Sequence, residues 1–392
     1  MIGISKLYCG TVEPSDALRY ERRSSDLPSH LLQFSIDKKP VVVWNVTRGC
    51  NLNCVHCYAH AVEISREKEL SGDQAMAVID DLVKFGSPVI LFSGGEPLFR
   101  PDLMDLAAYA VNKGMRAVIS TNGTLINRKK AEALKEIGLS YVGVSLDGME
   151  EVNDRFRRKK GAFRDALKGI RNCRDAGLKV GLRFTMNRSN IGEISSIFDL
   201  LEDMNIPRVC FYHLVYAGRG SALIDQDLSH AERRQALDLI MDRTRDLHER
   251  GIDKEVLTVD NHADGPYLYL RMLREENPRS EKVLQLLKMN EGNSSGRGIG
   301  CISWDGSVHA DQFWRHHSFG NVLERPFSEI WADLSDPLMA RLKDKKRYVR
   351  GRCAACRWLD ICGGNFRVRA EAATGDLWGP DPACYLTDEE IA

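Results

Sequence analysis

Six short runs rich in branched residues, at 41–46, 88–92, 116–120, 141–145, 180–185 and 208–213, alternate with five stretches that carry apolar residues at helical spacing, at 72–85, 103–112, 128–137, 163–176 and 191–204. Runs so short and apolar predict strands buried on both faces. Strands alternating with amphipathic helices predict a parallel sheet with right-handed crossovers, an α/β fold either doubly wound or curled toward a barrel. In both, ligands collect at the C-terminal ends of the strands. The chain places its least ordinary residues on that rim. Cys50, Cys54 and Cys57 follow the first strand, Ser93-Gly94-Gly95-Glu96-Pro97 the second, Ser120-Thr121-Asn122-Gly123 the third and Ser145-Leu146-Asp147-Gly148 the fourth.

Three thiols in one short loop form a soft donor set. Structural zinc normally takes four protein ligands, whereas an iron–sulfur cube held by three cysteines keeps one iron open. The loop is read as the holder of such an open cube. In the second motif, Gly94 and Gly95 let the backbone approach a ligand closely, Glu96 adds a carboxylate and Pro97 stiffens the turn. A cationic amine suits that pocket, although taken alone the motif reads equally well as a plain loop.

Basic and acidic residues balance at 55 each, so no net charge draws the chain to nucleic acid or to an anionic membrane surface. No apolar run approaches the roughly 20 residues that span a bilayer, and residues 1–20 lack the layout of a signal peptide, which predicts a cytoplasmic protein. Eight of the 11 cysteines fall into two sets, the rim loop and Cys301, Cys353, Cys356, Cys362 and Cys384. Clustered cysteines in a long chain without a leader are read as metal ligands kept reduced, not as a disulfide framework. Cys9, Cys173 and Cys210 are read as ordinary small residues.

The expected organisation is a lead segment over 1–40, a strand–helix core over 41–213, a charged, helical and solvated connecting segment over 214–295, and a second cysteine-bearing unit over 296–392. In that unit Cys353-x2-Cys356-x5-Cys362 with the distant Cys384 supplies four thiols. A closed iron–sulfur cube and a zinc knuckle both fit that spacing.

The spacing Cys-x3-Cys-x2-Cys with Tyr58 behind it resembles the cluster loop of the radical S-adenosylmethionine (radical SAM) enzymes. The resemblance implies a partial (β/α)6 TIM-like barrel and a [4Fe–4S] cluster on the catalytic Cys50, Cys54 and Cys57. Its open iron chelates the amine and carboxylate of S-adenosyl-L-methionine, from which one electron releases a 5′-deoxyadenosyl radical. Gly94, Gly95 and Glu96 are similar to the family's motif for the methionine amine. Ser120, Thr121 and Asn122 resemble ribose contacts. Ser145 with Arg157, or alternatively Arg155, resembles the pair that holds the methionine carboxylate. Asn153 stands where relatives usually have histidine.

The tail resembles the half of a SPASM/twitch-like extension that fully ligates an auxiliary [4Fe–4S] cluster, which implies Cys353, Cys356, Cys362 and Cys384 as its ligands. Asp311 and Phe366 occupy places where full SPASM domains have cysteines, so a further cluster is not expected and Cys301 is left without a partner. The opening Met1–Leu7, the run 40–45 and the single-cluster tail are similar to the haem-biosynthesis members. These imply an iron tetrapyrrole substrate, removal of two acetate side chains from didecarboxysiroheme to give Fe-coproporphyrin III, a low-potential donor of flavodoxin or ferredoxin type, and a monomer. Propionate chemistry on the same precursor in haem d1 synthesis, or peptide maturation, are the alternatives. Arg315, His316 and His317 beside Phe313 and Trp314, with His213 and Arg219, are the candidate tetrapyrrole contacts.

Overall fold

The computed structural model describes residues 1–11, 39–65 and 68–392, so most of the expected lead segment lies outside the described residues. Ten strands form one sheet. They are β1 (Ile2–Gly3), β2 (Val41–Thr47), β3 (Val89–Gly94), β4 (Arg116–Thr121), β5 (Tyr141–Ser145), β6 (Val180–Met186), β7 (Arg208–His213), β8 (Glu255–Val259), β9 (Ile299–Ile302) and β10 (Val308–His309). Their order is β1-β8-β7-β6-β5-β4-β3-β2-β9-β10. From β2 to β8 every neighbouring pair is parallel, and helices make the crossovers between consecutive strands from β2 to β7.

The first of these helices, Gly72–Phe85, shows why the pattern was readable. Ser71 and Gln74 form a capping box at its start, and Gly86 turns left-handed at its end. Ala75, Val78, Ile79 and Leu82 lie buried along one face at helical spacing. Glu150–Arg157 is an additional helix, short and charged, that periodicity alone does not reveal.

The sheet curls. Val43 of β2, Leu91 of β3, Ser120 of β4, Ser145 of β5, Arg183 of β6, Tyr212 of β7 and Asp260 just after β8 all line one cavity. Strands up to six places apart can share a cavity only if the sheet wraps around it, as in a partial barrel.

Segment 214–295 is packed, not solvated. β8 is buried along its whole length and pairs parallel with β7 and antiparallel with β1. The helices His230–Glu249, Asp264–Arg274 and Ser280–Asn290 place Leu237, Ile240, Met241, Tyr267, Leu268, Met272 and Val283 in the same core as the preceding strands. Their dense charged faces conceal that apolar stripe in the sequence. The tail is likewise joined to the barrel sheet, since β9 pairs parallel with β2 and covers an edge that would otherwise expose unpaired backbone groups. Among the described residues no helix is long and apolar enough to cross a membrane.

Candidate active site

The loop after β2 is closed by its own backbone. Cys50 N–H donates to Val62 O at 2.8 Å, and Thr47 Oγ1 accepts from Gly49 N at 2.9 Å. Cys50 and Cys54 are buried and Cys57 half-buried. Each sulfur is faced by nitrogen donors: Leu52 N at 3.4 Å and Asn122 Nδ2 at 3.9 Å on Cys50, Arg157 Nη1 at 3.6 Å on Cys54, and Ala61 N at 3.4 Å on Cys57. Burial pushes the Cys50 thiol up to about 12, and raises Cys54 against the opposing pull of Arg157. Three buried thiols ringed by N–H donors suit metal-bound thiolates, whose charge those donors stabilise.

β3 meets this loop very closely. Gly95 N donates to Thr47 O and Glu96 N to Gly49 O, both at 2.8 Å. A Cβ at Gly94, whose φ is +123°, would sit 2.4 Å from Thr47 O, and one at Gly95 would sit 2.2 Å from Gly49 O. Approach of the backbone therefore dictates both glycines. The Glu96 carboxylate is fully buried and accepts from Thr121 Oγ1 at 2.6 Å, Asn122 N at 2.8 Å and Leu98 N at 3.2 Å, which braces the end of β3 against the end of β4.

Asn122 also reaches into the cysteine loop, donating to Asn51 Oδ1 at 2.9 Å. The Tyr58 hydroxyl lies 2.9 Å from both Asn45 Oδ1 and Ser93 Oγ, and its ring meets Phe313 edge-on at 5.4 Å. Ser120 and Ser145 line the cavity beside Tyr58. Arg157 is buried and ion-paired with Asp147, whereas Arg155 is exposed and lies 3.8 Å from Glu151. Asn153 accepts from Asp147 N at 3.0 Å, so it holds the turn that presents this aspartate.

The sequence reading missed several groups that the tertiary structure gathers here. Asp147 lay inside a quoted motif without a role, yet it pairs with Arg157 and lies 3.7 Å from His56 Nε2. His56 stacks on Phe156 at 4.6 Å, and burial lowers its pKa to about 4. Arg183 and Asp260 enter the cavity from β6 and from the end of β8. No local spacing marks either of them.

Asp260 has a left-handed φ of +67° and is buried. Burial, reinforced by Asp311 and opposed by Arg369 and Arg183, pushes its carboxyl up to about 7. The protonated form therefore contributes stability that is complete below an ordinary carboxyl pKa of about 4 and is lost as pH rises through 7. Asp260→Asn, which tolerates the same backbone conformation, removes that loss. Its stability in denaturant melts should match the natural chain near pH 4 and exceed it by up to ~4 kcal/mol at pH 8, from about three pH units at 1.36 kcal/mol each. Parallel pH profiles would contradict this.

The tail thiols converge. Cys353, Cys356, Cys362 and Cys384 line a single pocket walled by Trp358, Leu359, Leu386 and Ile391, and all eleven cysteines are free. Trp358 N donates to Cys356 Sγ at 3.4 Å and Arg352 Nη1 to Cys384 Sγ at 3.7 Å. Burial pushes Cys362 up to about 12 and Cys384 to about 11. Four thiols around one apolar void fit a fully ligated cluster. Cys301 is apart from them, buried on β9 with Asn45 Nδ2 at 3.5 Å. Asp311 accepts from Ser295 Oγ at 2.5 Å and from the amides of Phe313 and Trp314, and Phe366 packs edge-on against Phe313 at 6.0 Å.

The candidate tetrapyrrole contacts are largely engaged elsewhere. Arg219 donates to the carbonyls of Cys54 and Ala61 at 2.8 Å each, and Arg315 to that of Ala59 at 3.0 Å, so both clasp the cysteine loop. His213 faces the cavity but is bonded to Asp264 at 3.0 Å. His316 pairs with Glu371 and His317 with Asp336 on the exterior. Phe313 lines the cavity, whereas Trp314 Nε1 donates to Glu371 at 2.8 Å.

The family model of the radical SAM superfamily matches residues 44–201, and that of the SPASM iron–sulfur cluster-binding domain matches residues 295–357. The chain belongs to the radical SAM superfamily and is an enzyme of that class, with a SAM-binding [4Fe–4S] cluster and an auxiliary iron–sulfur cluster in its C-terminal SPASM domain. It is 69% identical to the Fe-coproporphyrin III synthase of Methanosarcina barkeri (strain Fusaro / DSM 804) over 394 residues, covering 100% of this chain and 99% of that one. It is 42% identical to the pre-heme d1 synthase of Dinoroseobacter shibae, covering 90% of this chain and 87% of that one. Among solved structures, Streptococcus suis SuiB bound to its precursor peptide SuiA shares the fold with a TM-score of 0.70 at 18% identity, over 91% of this chain and 77% of that one.

Proposed function

We propose that this chain removes two acetate side chains from didecarboxysiroheme to give Fe-coproporphyrin III. The observation that carries this reading is the 69% identity to an Fe-coproporphyrin III synthase along the entire chain. The site is compatible with it, since the cysteine loop borders a cavity lined from seven strands. In this reading Cys50, Cys54 and Cys57 hold the radical-generating cluster. Tyr58, Gly94, Gly95, Glu96, Ser120, Asn122, Ser145 and Arg157 form the surroundings of S-adenosylmethionine. Cys353, Cys356, Cys362 and Cys384 hold the auxiliary cluster.

Bound there, cluster and S-adenosylmethionine supply a 5′-deoxyadenosyl radical. The chain's part is position and exclusion. Arg157 and Asn122 aim N–H donors at the cysteine sulfurs, and Asp147 fixes the Arg157 guanidinium. Val43, Leu91, Leu214 and Val215 give the cavity apolar walls that keep water from a reactive intermediate. The chain works as a cytoplasmic monomer fed by a low-potential flavodoxin or ferredoxin, and its eleven free cysteines suit a reducing compartment.

Anaerobic incubation with didecarboxysiroheme, S-adenosylmethionine and reductant should yield a product lighter by two acetate groups in mass spectrometry. Formation of 5′-deoxyadenosine with the tetrapyrrole unchanged would sink the proposal. Altered propionates with both acetates retained would assign the chain to haem d1 chemistry instead.

A further inference from the structure

The rim cavity contains a guanidinium without a hydrogen-bonded or ion-paired partner among the described residues. Arg183 projects from β6 across Gly143 of β5, where a Cβ would lie 2.9 Å from Arg183 Cδ. The missing side chain at 143 is what lets the arginine lie there. Its guanidinium rests over the ring of Tyr212 from β7, 4.7 Å from the centroid. Among the described residues Arg183 makes no hydrogen bond and no ion pair, and its residual exposure is to the cavity it lines. Among the described residues lining that cavity it is the only arginine or lysine.

The neighbouring cations are all engaged: Arg157 by Asp147, Arg219 by the carbonyls of Cys54 and Ala61, and Arg315 by the carbonyl of Ala59. Asp260, the carboxyl in the same cavity, feels Arg183 but makes no hydrogen bond or close ion pair with it, and burial pushes it up to about 7. A guanidinium withdrawn from bulk water without an anionic partner is unfavourable, and the natural complement of its planar fork is a carboxylate. Stacking on Tyr212 fixes the plane of that fork and leaves its edges free to bond.

We propose that Arg183 is the anchor for a side-chain carboxylate of the substrate tetrapyrrole, with Tyr212 holding the guanidinium in position and Gly143 giving it room. The proposal deepens, and rests on, the function proposed above. It makes Arg183 a specificity-determining residue, because a tetrapyrrole lacking a carboxylate at that side chain would leave the guanidinium unpaired.

Calorimetric titration of the cluster-loaded protein with didecarboxysiroheme, without S-adenosylmethionine so that no turnover occurs, tests it. Arg183→Gln should raise Kd roughly 10- to 100-fold. Arg183→Lys, which keeps the charge but loses the bidentate fork, should raise it less. The methyl ester of the same ligand should bind the natural chain and Arg183→Gln alike. Equal affinity of Arg183→Gln and the natural chain for the free acid would overturn the proposal. So would a weakened titration with S-adenosylmethionine beside an unmoved tetrapyrrole titration, since the carboxylate would then be that of methionine. If the natural chain itself binds no tetrapyrrole, the proposed function fails and takes this inference with it, an outcome distinguishable without any variant. Removing an unpaired buried charge should leave Tm unchanged or higher; if Arg183→Gln does not fold, Arg183→Lys carries the comparison.

Discussion

Cys54→Ala abolishes 5′-deoxyadenosine formation and lowers the iron content of anaerobically purified protein from about eight to about four per chain, as expected when one of two four-iron cubes is lost. The effect should be total and not graded, because the loop supplies only three thiols and offers no substitute. Cys54 is also the sulfur faced by Arg157, so the variant leaves that buried guanidinium with only Asp147. Cys356→Ala is the matched control: it should lose the tail iron and spare the loop cluster, since its thiol lies in the separate pocket closed by Cys353, Cys362 and Cys384. Quantitative iron and sulfide analysis, with chromatographic assay of 5′-deoxyadenosine, checks both. Radical chemistry persisting in Cys54→Ala would remove the loop from its assigned role, and two zincs without labile sulfide in the natural chain would remove both clusters.

Asp381→Ala should strongly destabilise the tail. Asp381 and Arg369 are both fully buried and joined by two hydrogen bonds of 2.8 Å. Arg369 also donates to Leu214 O at 3.1 Å, and Asp381 accepts from the amides of Phe366 and Ala383. The pair therefore ties the tail to the end of β7 and shapes a wall of the four-cysteine pocket. Deleting the carboxylate leaves an uncompensated buried guanidinium, which costs about 3–5 kcal/mol. Replacing both partners by apolar residues of similar volume should cost much less, because the stranded charge is then gone. Urea denaturation of the single and double variants decides this. A loss below about 1 kcal/mol in Asp381→Ala would show that water or another group satisfies Arg369.

How much could be read in advance varied with the range of the interaction. All six core strands appear within a residue or two of the runs of branched residues, because burial on both faces leaves an unbroken apolar signature. β8 escaped notice because its five residues sit among charged helices. β1 escaped because two residues carry no period at all. The same division holds at the site. Cysteine spacing is a local property and pointed to both metal sets. The burial of Glu96 under Thr121, Asn122 and Leu98 depends on how two strand ends meet. Arg219 and Arg315, singled out for substrate, turn inward to clasp the loop because the carbonyls of Cys54, Ala59 and Ala61 lie within their reach only in three dimensions.

By itself, the sequence determined the strand–helix alternation, the placement of its unusual motifs on one rim, and the division of eight cysteines into a three-thiol and a four-thiol set with one left over. These follow from spacing and periodicity, which the chain carries wherever it goes. Tertiary structure alone decided that the segment 214–295 packs into the barrel core, that β8 and β9 extend the sheet on opposite sides, and that Arg183 is left without a hydrogen-bonded partner while its neighbours are satisfied. Pairing of charges in a buried cavity depends on which strands curl to face one another, and no linear pattern records that.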